Sequence, residues 1–164
     1  MILITTNKSV AKNVTEAIKN QINELPRKEI IVKALQNSKL VITKSVTEAM
    51  ELSNMYAPEH LILACANAEE ISKQVISAGS VFIGNYSPES AGDYASGTNH
   101  TLPTNGYASM YSGVSLDSFS KKITYQQLTK VGLENISNTV IIMAEAEGLV
   151  AHKNAVSIRL KNIY

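Results

Sequence analysis

The sequence has little cysteine and little net charge, and each of these features argues against a class of protein. Cys65 is the one cysteine, which excludes a disulfide framework and a zinc cluster built from thiolates, and makes a reducing, cytoplasmic setting the default. It ends the apolar run LILAC, where we expect a buried structural thiol rather than a nucleophile. The formal net charge of +1 gives no reason to expect a nucleic acid or a membrane surface as partner.

Long apolar runs are also missing. None approaches the roughly 20 residues that a membrane-spanning helix needs. The N-terminus has no basic region before its apolar run and no small-residue cleavage site, so we expect no signal peptide. The 164 residues are enough for one domain with a small appendage, and for a core that needs no disulfides.

Short β-branched runs alternate with segments of helical period. The predicted strands are 1–5, 40–43, 61–64 and 80–83. The predicted helices are 7–25, 29–35, 45–55 and 68–78, with Thr6 or Asn7 as the first cap. This alternation predicts an α/β fold, with a Rossmann-like parallel sheet flanked by helices. Ligands of such sheets bind beyond the carboxyl ends of the strands.

A long segment, residues 84–113, follows the last predicted strand and organises the chain. It holds five of the eight glycines and two of the four prolines, and it has neither a helical period nor sustained alternation. An irregular segment of this length inside a compact domain is usually functional or disordered, and its tyrosines and few charges argue against disorder. A solvated surface loop is the alternative. Asp93 and His100 stand isolated among its small residues.

The C-terminal part reads as helical. Residues 114–116 are a candidate strand, and residues 125–135 and 137–149 are predicted helices. The second of these is apolar almost all round in its first half, so it needs burial on more than one side and predicts a partner surface. We therefore divide the chain into an incomplete α/β domain, residues 1–118 with the site loop 84–113, and a small helical tail, residues 119–164.

Three histidines and their acidic neighbours are the candidates for chemistry. Glu59 and His60 follow a proline, and an acid beside a group that titrates near neutral pH could serve two proton transfers. The alternative is an ordinary residue pair at the rim of a strand. Asp93, between Gly92 and Tyr94, suits metal binding, although an Asx turn has the same composition.

Glu147 and His152 form the last candidate pair. A spacing of five residues on an ideal helix puts them about 140° apart, so they share a face only if Gly148 breaks the helix. The sequence contains no HExxH, Walker or GxGxxG motif. Spacing alone thus leaves a zinc or acid–base site as a hypothesis.

Three blocks in order carry a family resemblance. They are YAPEHL at 56–61, AGSVFIGNYSPESAGDYASGTNHTLPT at 78–104 and AEGLVAHKNAVSIR at 146–159. Together they resemble the C-terminal part of histidinol dehydrogenase, and the resemblance covers essentially the whole chain. That family is a zinc-containing, NAD-dependent homodimer, which oxidises L-histidinol through the aldehyde to L-histidine in the last step of histidine biosynthesis.

The resemblance implies a role for each candidate. His60 would take the proton from the alcohol, and Glu59 would activate the water that attacks the aldehyde. Asp93 would be a zinc ligand, and His152 would be another, contributed to the neighbouring subunit's site with the exchanged tail. The implied substrate-binding residues are His60, Asp93, His100, Glu147 and His152. The residues that bind NAD remain unassigned.

The resemblance also sets a limit. Family chains are more than twice as long, and before the first strand they carry an NAD-binding domain and a segment with Gln and His that completes the zinc shell. We therefore expect this chain alone to lack dehydrogenase turnover, which zinc- and NAD-dependent oxidation of histidinol by the 164-residue polypeptide would contradict. A non-catalytic paralogue that acts as a binding or assembly module is the alternative.

Overall fold

The computed structural model describes residues 1–161 and divides into two compact units. Unit 1 is Met1–Ser120, and unit 2 is Lys121–Tyr164. The last residues of the predicted tail, 162–164, lie outside the described residues. No helix in the described range has the length and apolar character that crossing a membrane requires.

The first half of unit 1 is a parallel strand pair with two helices in its crossover. Strand β1 (Ile2–Thr5) leads to α1 (Lys8–Gln21) and α2 (Lys28–Gln36), and β2 (Lys39–Ile42) lies beside β1. Asn7 caps α1, as predicted, because its side-chain oxygen accepts from the Ser9 N–H at 2.8 Å. Helix α1 ends four residues before the predicted end at 25.

The second half repeats this plan with a shorter crossover. Helix α3 (Val46–Tyr56) precedes β3 (His60–Leu63), and α4 (Ala68–Ser72) precedes β4 (Ser80–Ile83), which pairs with β3 in parallel. The predicted helix 68–78 ends early, at Ser72. Past that point the Asn54 side chain holds the backbone, donating to the Gln74 carbonyl at 2.9 Å and accepting from the Ile76 N–H at 2.8 Å.

The predicted α/β class with parallel strands and flanking helices is confirmed, but the strands form two separate pairs among the described residues. The buried cluster of the fold is Met50, Leu63 and Ala68, with partly buried apolar residues from β3, α4 and β4 packed against it. The core therefore sits around the β3–β4 pair. Cys65 was predicted to be buried and is exposed, because β3 ends two residues before it.

The long segment 84–113 is more structured than its composition indicates. Helix α5 (Glu89–Tyr94) and a 3-10 helix (Tyr107–Ser109) lie within it. The Val114 N–H donates to the Thr101 carbonyl at 3.0 Å and so brings the end of the segment back to its middle. The candidate strand 114–116 is wrong, since a 3-10 helix (Leu116–Phe119) begins there.

Unit 2 contains α6 (Lys130–Ala146) and α7 (Val150–Lys161), which contact each other. The predicted helices 125–135 and 137–149 are helical over 130–146, but their bounds are wrong: residues 121–129 have no regular structure, and one helix runs through the proposed break. No proline stands near residue 136, and Gly132, the third residue of α6, does not interrupt the helix. Gly148 does break the helical path, with a φ of 72° between α6 and α7.

Candidate functional site

His60 is the first residue of β3, so it is held by the strand rather than preceding it. Its imidazole is 29% exposed and stacks in a tilted contact on the Phe82 ring of β4, with ring centroids 5.9 Å apart. Phe82 itself is buried. The neighbouring strand therefore supports one side of the imidazole and leaves the other side accessible.

Glu59 is fixed through its backbone. Its carbonyl accepts from the Ser80 N–H at 2.9 Å, which continues the β3–β4 ladder by one residue. A Cβ placed on Gly79 would come within 2.5 Å of that carbonyl oxygen, so only glycine allows this approach. Ala57, at a φ of 51°, ends α3 just before the pair. The predicted proton-transfer pair thus sits in a tightly constrained turn into a strand.

Asp93 lies on α5, not in an Asx turn. Its neighbour Gly92 is buried, and a Cβ on it would meet Phe82 Cε1 at 2.7 Å and Thr98 Oγ1 at 2.4 Å. The glycine beside the carboxylate therefore allows the short helix to pack directly on β4. This packing places the Asp93 carboxylate, 17% exposed, near His60.

His100 approaches Asp93 from the irregular segment after α5. Its Nδ1 lies 2.9 Å from Asp93 Oδ1, and its ring is otherwise 73% exposed. The structure therefore brings together three of the predicted site residues, which are His60, Asp93 and His100.

Glu89 is a site residue that the sequence analysis missed. It opens α5 four residues before Asp93, so both carboxyls lie on the same face of the helix. Its Oε1 is 3.9 Å from His60 Nε2, and a carboxyl oxygen of Glu89 lies within 4.8 Å of one of Asp93. The available signal was the sequence Pro-Glu-x-x-x-Asp, in which proline precedes an acidic first helical turn.

The pKa values of the two carboxyl groups are shifted in opposite directions. The hydrogen bond to Asp93, followed by burial, raises the pKa of Glu89. The hydrogen bond from His100, followed by that from Glu89, lowers the pKa of Asp93. As the pH falls, Glu89 is therefore the first of the two carboxyls to take up a proton, and the pair titrates as one system.

Glu147 and His152 belong to unit 2, apart from the residues above in the chain. Glu147 is the C-cap residue of α6, and His152 lies in the first turn of α7. Both side chains are exposed. Because Gly148 separates the two helices, the pair does not lie on one continuous helix.

The site in unit 1 has the donor atoms of a metal centre. One ligand atom each from His60, Glu89 and Asp93 lies within 4.8 Å of the other two. One imidazole nitrogen and two carboxylate oxygens suit zinc or another divalent cation. The residues present therefore fit a metal ion held at Asp93.

Comparisons of the chain with known proteins point to one family. The sequence model of the family described as histidinol dehydrogenase matches residues 1–160. The chain is 55% identical over 161 residues to a histidinol dehydrogenase of Bacteroides thetaiotaomicron, and 50% identical over 163 residues to one of Vibrio parahaemolyticus. These matches cover 98% and 99% of this chain and 38% of each relative.

A solved structure that matches this chain belongs to the same family. The crystal structure of histidinol dehydrogenase from Elizabethkingia anophelis matches with a TM-score of 0.92 and 56% identity, over 99% of this chain and 37% of that one. The chain thus spans just over a third of the length of the proteins it matches. Sequence and structure together show that the chain belongs to the histidinol dehydrogenase family.

Proposed function

We propose that this chain carries the proton-transfer and part of the metal-binding machinery of an enzyme that oxidises L-histidinol through the aldehyde to L-histidine. The observation that carries the proposal is the cluster of His60, Asp93 and His100 beside the β3–β4 pair, in a chain of this family. Each of these residues has a chemical task in an alcohol oxidation.

His60 is the general base for the first oxidation. A neutral imidazole that is partly exposed and supported on one face can accept the hydroxyl proton of an alcohol. Glu59, one residue earlier, acts in the second oxidation by activating the water that attacks the aldehyde. The rigid turn around Gly79 keeps these two groups at a fixed separation along the strand.

Asp93 is the proposed zinc ligand of unit 1, and His100 orients its carboxylate through the 2.9 Å contact while lining the substrate pocket. His152 is the proposed second ligand, and Glu147 a substrate contact, both from unit 2. When bound, zinc would supply a Lewis acid that anchors the imidazole and amine of the substrate, and NAD would supply the acceptor for the hydride. The residues that hold NAD are not assigned to this chain.

A second copy of the chain is the proposed partner for unit 2. Helix α6 leaves Ile142 and Met143 more than half exposed, and Ala144 is its buried residue. Such a helix buries its apolar surface only against something else. A homodimer in which the tail contributes His152 to the neighbouring site meets that need.

Calorimetric titration of zinc into the purified chain, with and without histidinol, tests the proposal. We expect zinc to bind and histidinol to tighten its binding. Asp93→Asn should weaken zinc binding at least about tenfold, since a neutral amide replaces a charged ligand. Asp117→Asn, at the chain's other aspartate, is the matched control and should leave the titration unchanged.

Two results of these measurements would contradict the proposal. If zinc fails to bind, or binds without any response to histidinol, the chain is a binding or assembly module and the proposed function is wrong. Sedimentation of the same samples reports the molar mass, and a chain that stays monomeric with zinc and histidinol contradicts the proposed exchange of the tail.

A further inference from the structure

Glu89 is the one residue of the cluster to which the proposed function gives no task. Its carboxyl oxygen lies 3.9 Å from His60 Nε2 and within 4.8 Å of a carboxylate oxygen of Asp93. Its side chain is 37% exposed, so it is neither a buried structural group nor a free surface acid. Its position calls for a specific role.

The contacts of Asp93 restrict what that role can be. Asp93 already has His100 Nδ1 at 2.9 Å, a closer nitrogen than any that Glu89 reaches. Helix α5 therefore presents two carboxyls to two histidines, with Asp93 beside His100 and Glu89 beside His60. The spacing of four residues on α5 keeps the two pairs side by side.

His60 needs such a partner to work as a base. An imidazole accepts a proton at one nitrogen when the other carries hydrogen, and the group that faces the second nitrogen decides which tautomer is present. Phe82 supports the ring face but offers no hydrogen-bond acceptor. Among the described residues, Glu89 supplies the ion-pair contact of His60, and a movement of about 1 Å brings its oxygen to hydrogen-bond distance of Nε2.

We propose that Glu89 is a positioning residue that holds His60 with hydrogen on Nε2, directed at the Glu89 carboxylate, and so leaves Nδ1 as the nitrogen that accepts the substrate's proton. This inference rests on the proposed function. In the step itself, the alcohol O–H bond breaks and its proton moves to Nδ1. The imidazolium that results lies beside the negative charge of Glu89, which stabilises it.

Two simpler roles compete with this one. Glu89 could serve only as an acid in the first turn of α5, where the helix dipole favours negative charge. It could also be a direct metal ligand, since its oxygen belongs to the donor cluster with His60 and Asp93. Each alternative makes a different prediction for the same variant.

The experiment measures the ring nitrogens of His60 by NMR in chain labelled with ¹⁵N-histidine, free of metal. We expect the wild-type ring to show one protonated nitrogen, Nε2, and one bare nitrogen, Nδ1. In Glu89→Ala the two nitrogen shifts should move toward the averaged values of an imidazole that exchanges tautomers. Glu69→Gln, in the first turn of α4, is the matched control and should leave His60 unchanged.

A kinetic arm uses the assembled enzyme that contains this chain. Glu89→Ala should lower kcat at least about tenfold and leave KM for histidinol within about twofold, because the base is misplaced while the substrate contacts remain. Glu89→Gln keeps an acceptor oxygen of the same reach, so it should lose less rate than Glu89→Ala, because it can hold the tautomer but lacks the charge that stabilises the imidazolium.

Three results overturn the inference. The first is a His60 spectrum that is identical in Glu89→Ala and wild type. The second is equal effects of Glu69→Gln and Glu89→Ala on His60. The third is a loss of zinc binding in Glu89→Ala as large as in Asp93→Asn, which would make Glu89 a ligand. The NMR arm needs neither zinc nor histidinol, so failure of the proposed function and failure of this inference are read separately.

Discussion

The two halves of unit 1 are built on the same plan and yet differ in what they carry. Each is a parallel pair of four-residue strands joined by a helical crossover. In the β1–β2 pair, large apolar side chains of β2 are exposed to solvent: Leu40 is 43% and Ile42 is 45% exposed. The β3–β4 pair contains buried Leu63 and Phe82 and lies against the buried cluster of the fold.

The candidate site lies in the packed half. His60 stands at the start of β3, and α5 with Glu89 and Asp93 follows β4 directly. Groups that transfer protons must be held within a fraction of an ångström, and a packed strand pair holds them better than an open one. The candidate site therefore depends on the core beneath it, and not on the parallel strand plan that both halves share.

Truncating one leucine in each half tests this difference most strongly. Leu63→Ala should lower the free energy of unfolding by about 2–4 kcal/mol, because it opens a cavity in the buried cluster. Leu40→Ala should cost about 1 kcal/mol or less, since much of its side chain is already in water. Urea unfolding followed by circular dichroism measures both variants. Equal losses would show that the two halves are equally packed.

A smaller effect is expected where α5 rests on β4. Gly92→Ala should destabilise the chain by roughly 1–2 kcal/mol, because the added methyl would meet the Phe82 ring and Thr98 and force the helix outward. The same shift should weaken zinc binding, since Asp93 moves with the helix. Ser90→Ala, at an exposed position of α5, is the control and should change neither quantity. Zinc affinity that is unchanged in Gly92→Ala would show that the position of α5 does not control the site.

The sequence predicted the strands of both halves well, for a physical reason. Runs such as those at β1 and β4 are short and rich in β-branched residues, and glycines bound β4 on both sides, so their local signal agrees with their tertiary role. The cap at Asn7 is local in the same sense. The division into two strand pairs depends on contacts that no local pattern records.

The site was predicted in part, and its missing member shows why. His60 and Asp93 were candidates from their local sequence and received roles from the family resemblance, whereas the Pro-Glu-x-x-x-Asp signal at Glu89 becomes informative only when α5 is known to be a helix. Six residues that include Gly92 give too little periodicity to predict that helix. The helix exists because Gly92 lets it pack on Phe82, and that is a tertiary contact. Predicting the site fully thus required the packing of the half that carries it.

The smallest expected effect concerns the ionisation of Asp93, which sets the electrostatics of the packed half. The contact with His100 is the main cause that lowers the pKa of Asp93 below its ordinary value of 3.8. The ionised carboxylate therefore contributes stability above pH 3.8, and this contribution is lost as the pH falls through the lowered pKa. Glu89 has the opposite sign, because its raised pKa stabilises the fold below its ordinary value of 4.5 and the contribution is lost as the pH rises.

His100→Ala separates these two contributions. Without the imidazole, the pKa of Asp93 should move up toward its ordinary value, and the variant should lose less stability than the wild type as the pH falls below 3.8. Carboxyl ¹³C NMR of metal-free chain follows both groups through the titration. Thr104→Ala, an exposed substitution in the same segment, should leave both titrations unchanged. If Asp93 titrates identically in His100→Ala and wild type, then Glu89 and the packing of α5, rather than His100, hold the carboxylate in its charged form.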